Sequence, residues 1–304
     1  MTTRSARARR QRFSRSTSVR VRLTPDDVAI IRHIARHRFL RSTHIVQLFP
    51  KRPAKKLIER LGLLYHAGFL DRPRAQIDYY LRHGSARMVY GLGSLAHVAL
   101  PELGLIDWQK KNRTASQGFI KHELMLADIM VAIEVAAQSR RDLEYVPAEE
   151  LRPTPGEHWR LATTITIRGN STELAIIPDA VFALRFNPSG RMAYFFVEAD
   201  RRNMPVHRSD LNQSSFRKKA LVYHHAAMQR TIVDRFGFTN FRVLTVTSTP
   251  ARIASMQREV KSITRSPSGR FLFASRDLFA VRDPLSFEWS TLPGPSRLDT
   301  PPRA

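Results

Sequence analysis

The chain has 304 residues, with 50 Lys+Arg against 26 Asp+Glu, a formal net charge of +24. The absence of Cys excludes a disulfide scaffold, a Cys-ligated zinc site and a thiol nucleophile, and 42% apolar residues is globular composition, not that of a disordered chain. No apolar run approaches the ~18 residues that span a bilayer, and no apolar h-region follows the basic N-terminus, so no membrane partner is expected and a cytoplasmic location is predicted. Such a charge points first to a polyanion, most often nucleic acid.

The charge is uneven. Residues 1–22 hold eight Arg and no acid, and the first 110 residues carry fifteen of the 24 excess positive charges. Residues 1–22 are Arg/Ser/Thr-rich with few apolar groups, so they are expected to form a disordered basic arm, serving either DNA-backbone contact or simple solubility. Thr24-Pro25-Asp26-Asp27 then reads as a helix start, with Thr24 as cap, Pro25 at the first helical position and two acids facing the dipole. Val28, Ile31, Ile34 and Ala35 continue at helical spacing to His37. A second short helix is expected from Ser42 to near Pro50. A third, opened by Pro53, carries Leu57, Leu61 and Leu64 on one face and stops at Gly68.

Two strand-like stretches follow, 69–72 and 87–92, with Tyr79, Tyr80 and several basic residues between them. Three helices and a hairpin is the winged helix-turn-helix order, in which the third helix enters the major groove and the hairpin lies along the backbone. Lys51, Arg52, Lys55, Lys56 and Arg60 line the third helix and its approach, with Lys56 and Arg60 four residues apart on one face; Arg72, Arg74 and Arg82 would decorate the wing. Arg52, Lys55, Lys56, Arg60, Arg72 and Arg74 are thus the candidate contacts to double-stranded DNA, against the alternative of a solvated helix face. The base read is not deducible, because Arg and Lys serve phosphate and guanine alike.

In the second half, 118–139 reads as a long helix, apolar over a wide arc, with His122 beside Leu126, Ile129 and Ile133 as either a core histidine or a ligand. Strands are expected at 161–168, 174–186 and 191–198, the last two joined by Asn187-Pro188-Ser189-Gly190, a turn by composition. A hairpin centred between residues 188 and 189 sets Glu198 opposite Asp179. Two facing carboxylates repel and need an offset. A divalent cation held by Asp179 and Glu198, with Asp200 as third oxygen donor, is one solution, and Mg²⁺ suits such oxygens. Neutralisation by Arg201 and Arg202 is another. A basic helix at 211–236 with the stripe Phe216, Ala220, Tyr223 and Ala227, a strand at 241–247, a helix at 250–262 and a strand at 270–274 complete the unit, and the Pro-rich tail from Pro293 is expected to be loose.

The order helix, strands, hairpin with Pro178-Asp179 and Glu198-Ala199-Asp200, helix, strand resembles the core of the PD-(D/E)XK nuclease superfamily. The resemblance implies that Asp179 and Glu198 bind a catalytic Mg²⁺ and that a lysine two residues after the Glu activates water. Asp200 stands at that lysine's position, so Lys219 on the following helix is the candidate replacement and Glu123 a weakly placed assisting acid. Asp179, Glu198 and Lys219 are the implied catalytic set.

The whole chain is more specifically similar to the replication-relaxation family of plasmid and mobile-element proteins. The carrying stretches are 23–27, His37-Arg38-Phe39-Leu40, Ala67-Gly68-Phe69-Leu70, Val89-Tyr90-Gly91-Leu92-Gly93, His122 with Asp128, Pro178-Asp179-Ala180, 195–201, and Lys219 with Tyr223.

The expected class is therefore α+β: an arm at 1–22, a winged helix-turn-helix at 23–110, a restriction-endonuclease-like α/β domain with a mixed sheet at 115–290, and a tail at 291–304. Three functions fit: a DNA-binding protein in replication, relaxation or transfer of a plasmid or mobile element, with other replication or transfer proteins as further partners; a metal-dependent endonuclease; or a transcription regulator or antitoxin-like protein whose degenerate nuclease domain serves dimerisation. A homodimer stays open, since no heptad or exposed apolar stripe marks it.

Overall fold

The computed structural model describes residues 13–16, 19–76, 87–103, 112, 114–151, 159–167, 169–202 and 204–302. Tyr79, Tyr80, Arg82 and the arginines at 4, 7, 9, 10 and 12 lie outside these residues. The class is α+β, with helices at the N-terminus and a mixed five-stranded sheet. The chain divides into two compact units, Met1–Ala127 and Asp128–Ala304.

The first unit opens with α1, Pro25–His37, whose start is the one the sequence predicts. Thr24 and Asp27 form a capping box, each side chain bonding the other's backbone, which satisfies two otherwise unpaired amides. Next come β1 (Leu40–Arg41), α2 (Ser42–Leu48), α3 (Ala54–His66), β2 (Leu70–Asp71), β3 (Val89–Leu92) and α4 (Ala96–Ala99). The strands pair antiparallel in the order β1-β3-β2, with Leu40 opposite Tyr90 and Leu70 opposite Leu92. Ile30, Ile31, Ile34, Ile45, Leu57, Leu61 and Leu64 are buried, each contributing about 1.5–3 kcal/mol by leaving water. Gly93 packs so tightly against Gly68 that a Cβ would lie 2.2 Å from the Gly68 carbonyl oxygen, so only glycine joins the end of α3 to β3 there.

Composition suggests a disordered arm over 1–22, whereas the described residues 15 and 16 are tied to the first unit. Arg15 donates to the Leu70 carbonyl at 2.9 Å, pairs with Asp71 at 3.3 Å and lies over the Tyr65 ring, while the Ser16 N–H donates to His66 Nδ1. One cation–π contact with an ion pair and two hydrogen bonds offsets the ordering entropy of this short stretch.

The long helix is α5, Gln117–Gln138. The units divide within it, so residues 115–127 do not belong with the second unit as expected. Ile120 and Leu124 pack with Phe39 and Val89 in one apolar cluster of the first.

The second unit contains β4 (Leu143–Pro147), α6 (Ala148–Leu151), β5 (Leu161–Ile167), β6 (Asn170–Ile176), β7 (Ala180–Phe186), β8 (Arg191–Ala199), α7 (Phe216–Met228), α8 (Thr231–Phe236), β9 (Phe241–Thr247), α9 (Pro250–Thr264) and β10 (Phe271–Ser275). The sheet order is β10-β9-β8-β7-β4, parallel from β10 to β8 and antiparallel from β8 to β4. Phe196, Val243, Phe271 and Phe273 pack with Phe216, Ala220 and Tyr223 of α7 and Met256 and Val260 of α9 in one core.

Four expectations change here. The strand expected over 174–186 is two strands in two sheets, divided at Ile177–Asp179, because β6 pairs with β5 and β7 with β8. The helix expected over 211–236 is α7 and α8, interrupted where Arg230 takes a left-handed conformation. Strand β4 was not anticipated. The tail is not loose: Leu298 is buried, Trp289 bridges Ser296, and Asp299 pairs with Arg140 at 2.9 Å. No helix among the described residues is long and apolar enough to cross a membrane.

Candidate functional site

The β7–β8 hairpin has the register that its turn chemistry predicts. Phe186 pairs with Arg191 and Ala180 with Val197, where the ladder ends, and Asp179 just beyond it shares Lys219 with Glu198. The two carboxylates therefore converge at the open end of the hairpin. Helix α7 crosses this end and contributes two side chains one turn apart, Lys219 and Tyr223.

The Lys219 ammonium ion-pairs with Glu198 Oε2 and lies 3.6 Å from Asp179 Oδ1. The Tyr223 hydroxyl donates to Glu198 Oε1 at 2.7 Å. Asp179 Oδ2 accepts the Ala199 N–H at 2.8 Å, and the Asp179 N–H donates to the Val197 carbonyl.

The Glu198 side chain is 4% exposed. Burial pushes its carboxyl up to about 7, and the nearby Asp179 charge adds to this, while the Lys219 charge and the Tyr223 hydrogen bond oppose it. Burial acts to lower Lys219, but its two carboxylate neighbours outweigh that and raise it, so the ammonium stays charged. Tyr223 is held neutral, first by burial and then by the adjacent Glu198 charge. The offset that two facing acids require is therefore supplied by Lys219.

Asp200 does not join them. Its carboxylate takes two guanidinium N–H groups of Arg252, from Nε and, at 2.7 Å, from Nη2, and accepts the Thr247 hydroxyl at 2.6 Å. It ties the end of β8 to the start of α9, and it does not gather with Asp179 and Glu198 into a three-carboxylate group that could hold a metal. Arg252, not Arg201 or Arg202, neutralises it. His122 and Glu123 lie half-buried on the part of α5 that belongs to the first unit.

The candidate DNA contacts fall into two groups. Lys51, Arg52, Lys55 and Lys56 are exposed around the start of α3, and Arg74 is exposed after β2. Arg52 pairs with the exposed Asp26 at 2.6 Å and Lys56 with Glu59 at 3.8 Å, weak partners at a surface. Among the described residues, Lys51, Lys55 and Arg74 pair with no carboxylate.

Arg60 and Arg72 are engaged within the fold. Arg60 binds buried Asp27 through two N–H groups, at 2.8 and 2.5 Å, and donates to the Arg22 carbonyl. Burial acts to raise the Asp27 carboxyl, but the Arg60 and Thr24 hydrogen bonds outweigh it and hold the group below its ordinary range. Arg72 stacks over Tyr65 at 4.1 Å and donates to the Tyr90 hydroxyl at 3.2 Å.

Tyr223 sits in the apolar stripe of the sequence pattern, yet its hydroxyl bonds Glu198. The signal for this is its spacing of four from Lys219 on one helix face. Beside Lys219 lies a cavity of about 380 Å³ that also involves Arg160 and Lys218, a feature with no local sequence signature.

No curated protein and no solved structure matches the chain. The sequence profile of the replication-relaxation family matches residues 31–233, a segment running from within α1 to α8 and including Asp179, Glu198, Lys219 and Tyr223. The chain belongs to the replication-relaxation family, and this membership supports a role in the replication or relaxation of a plasmid or mobile element.

Proposed function

We propose that the chain is a DNA-binding protein serving replication, relaxation or transfer of a plasmid or mobile element, in which the first unit acts as a winged helix on double-stranded DNA. The observation that carries this reading is the group Lys51, Arg52, Lys55 and Lys56 around the start of α3, whose cations face solvent with only weak surface partners. Each such cation set against a phosphate releases counterions, so affinity falls steeply with salt. Arg74, exposed after β2, is a further candidate contact, whereas Arg60 and Arg72 are engaged within the fold and are removed from the contact set.

Fluorescence anisotropy of a labelled duplex over a salt series tests the reading. The Arg52→Ala/Lys55→Ala/Lys56→Ala variant should bind weakly, with a log–log salt slope shallower by about 2.7 if each cation meets one phosphate. A wild-type protein that binds no duplex at low salt overturns it.

A second reading, metal-dependent nicking of DNA by a restriction-endonuclease-like second unit, is favoured by one observation. Lys219 reaches Glu198 and approaches Asp179 from the following helix, the arrangement that replaces a lysine lost from position 200. The donor chemistry fits Mg²⁺, which accepts one or two carboxylates and completes its shell with water, so Asp179 and Glu198 would hold it without Asp200. Bound there, the metal would stabilise charge on the phosphodiester and leaving oxygen. In the chain itself, Lys219 balances the two acids and Tyr223 fixes the Glu198 carboxylate. Conversion of supercoiled plasmid to the open circle by wild type, lost in Asp179→Asn, is the expected result. No cleavage across Mg²⁺ and Mn²⁺ ends this reading and leaves the first intact.

A further inference from the structure

The cavity beside Lys219 is lined by Arg160, Lys218 and Lys219, by Ser214 and Ser215, and by Ala175, Ile176, Ile177 and Met204. Among the described residues, three cations and no acid line it. It adjoins the start of α7, but the backbone there is already satisfied. The N–H of Phe216 donates to the Pro205 carbonyl, that of Arg217 to Val206, that of Lys218 to the Ser215 hydroxyl and that of Lys219 to the Ser215 carbonyl. An anion in the cavity would therefore be held by side chains.

Arg160, Lys218 and Ser214 are only lightly engaged elsewhere, whereas Lys219 is held by Glu198 and Asp179. Arg160 pairs with Glu173 at 3.1 Å where both are more than half exposed, a contact of little strength. The Lys218 ammonium has a long bond of 3.4 Å to the Asn212 carbonyl. Ser214 is exposed. The rest of the lining includes Ala175, Ile176, Ile177 and Met204, and Ile177 is 62% exposed although it is a large hydrophobe. A lining that combines cations with apolar surface, in a volume of about 380 Å³, matches a single nucleotide, whose phosphodiester is anionic and whose sugar and base are largely apolar in their faces.

We propose that this cavity receives one nucleotide of a DNA strand, its phosphate held by Arg160, Lys218 and the Ser214 hydroxyl and its sugar and base resting on Ile177 and Met204. This rests on the DNA-binding reading above and adds to it a strand site in the second unit, apart from the cations of α3. Because Lys219 forms one wall and also holds Glu198, a strand seated here runs past the Asp179–Glu198 pair. The cavity takes an unpaired nucleotide, so the site selects a single strand or an opened end over intact duplex.

The test uses the full chain with labelled single-stranded and duplex oligonucleotides, read by anisotropy over a salt series. Arg160→Ala/Lys218→Ala should bind the single strand about tenfold more weakly, with a slope shallower by about 0.7 for one lost phosphate contact, while its duplex affinity and circular dichroism match wild type. Arg160→Lys/Lys218→Arg should restore strand binding. Equal strand affinity and slope in wild type and Arg160→Ala/Lys218→Ala overturns the site. So does displacement of the strand by inorganic phosphate at matched ionic strength, which would mark a free-phosphate site. Failure of the wild type to bind duplex is a separate result and counts against the DNA-binding reading, since strand affinity alone reports on the cavity.

Discussion

Two helices carry adjacent lysines and use them in opposite ways. On α3, Lys55 and Lys56 stand in solvent. On α7, Lys219 turns inward to pair with Glu198 near Asp179, and its neighbour Lys218 borders the cavity. The local sequences are alike, with an apolar residue following each pair. What differs is what the rest of the fold sets against them: water in one case, the open end of a hairpin bearing two acids in the other. A positive charge in a basic protein is thus left to solvent only where the fold offers it no better partner, and Arg60 and Arg72 show that this holds within the first unit as well.

The largest test of this contrast is Lys219→Met. It leaves two mostly buried carboxylates facing one another without a counter-charge, which should lower stability in urea by about 3–5 kcal/mol. Adding Glu198→Gln should recover part of the loss, because the repulsion is then gone. A change below about 1 kcal/mol would mean that the acids do not depend on the lysine.

Next in size is Arg60→Ala, expected to cost about 2–3 kcal/mol by leaving Asp27 buried without its charged donor. Since Asp27 titrates below its ordinary range when folded, its contribution is fully present above the unfolded aspartate pKa of about 3.9 and disappears as pH falls through the lower folded value. Wild type should therefore lose its advantage over Arg60→Ala in acid denaturation at that low end. A constant gap across the range would assign Arg60 to packing alone.

The smallest effect on stability should come from Lys55→Ala/Lys56→Ala, within about 0.5 kcal/mol, while the duplex salt slope falls by about 1.8. A destabilised double variant would place these lysines with Lys219 instead.

How much of this was legible depends on the range of the interaction. The Thr24–Asp27 cap and the Asn187–Gly190 turn are local, and each was read in the right place; the turn alone was enough to bring Glu198 and Asp179 to the same end of the hairpin. The division of β6 from β7 has a local mark in Pro178-Asp179, which breaks an otherwise apolar run from 174 to 186, and pairing with different partners completes it. The end of α7 carries no glycine signal, since the left-handed position is Arg230. Strand β4 pairs only at the sheet edge with β7, and its Glu144 and Tyr145 break the apolar run that would announce it. The engagement of Asp200 by Arg252, across 52 residues, and of Arg60 by Asp27, across 33, has no local trace, so the sequence pattern alone leaves these charges open to a metal or to DNA.

The hydrogen bond from the Ala199 N–H to Asp179 Oδ2 gives that aspartate a second duty. Asp179 precedes β7 by one residue, and its side chain clasps the far end of β8 where the ladder stops. Cutting the side chain back to alanine would undo the clasp and discard the charge together, so a lost activity could reflect a frayed sheet end. An asparagine keeps an oxygen for Ala199 and gives up only the charge, and the difference between the two substitutions measures how far the hairpin's mouth is held open by its shape and how far by its electrostatics.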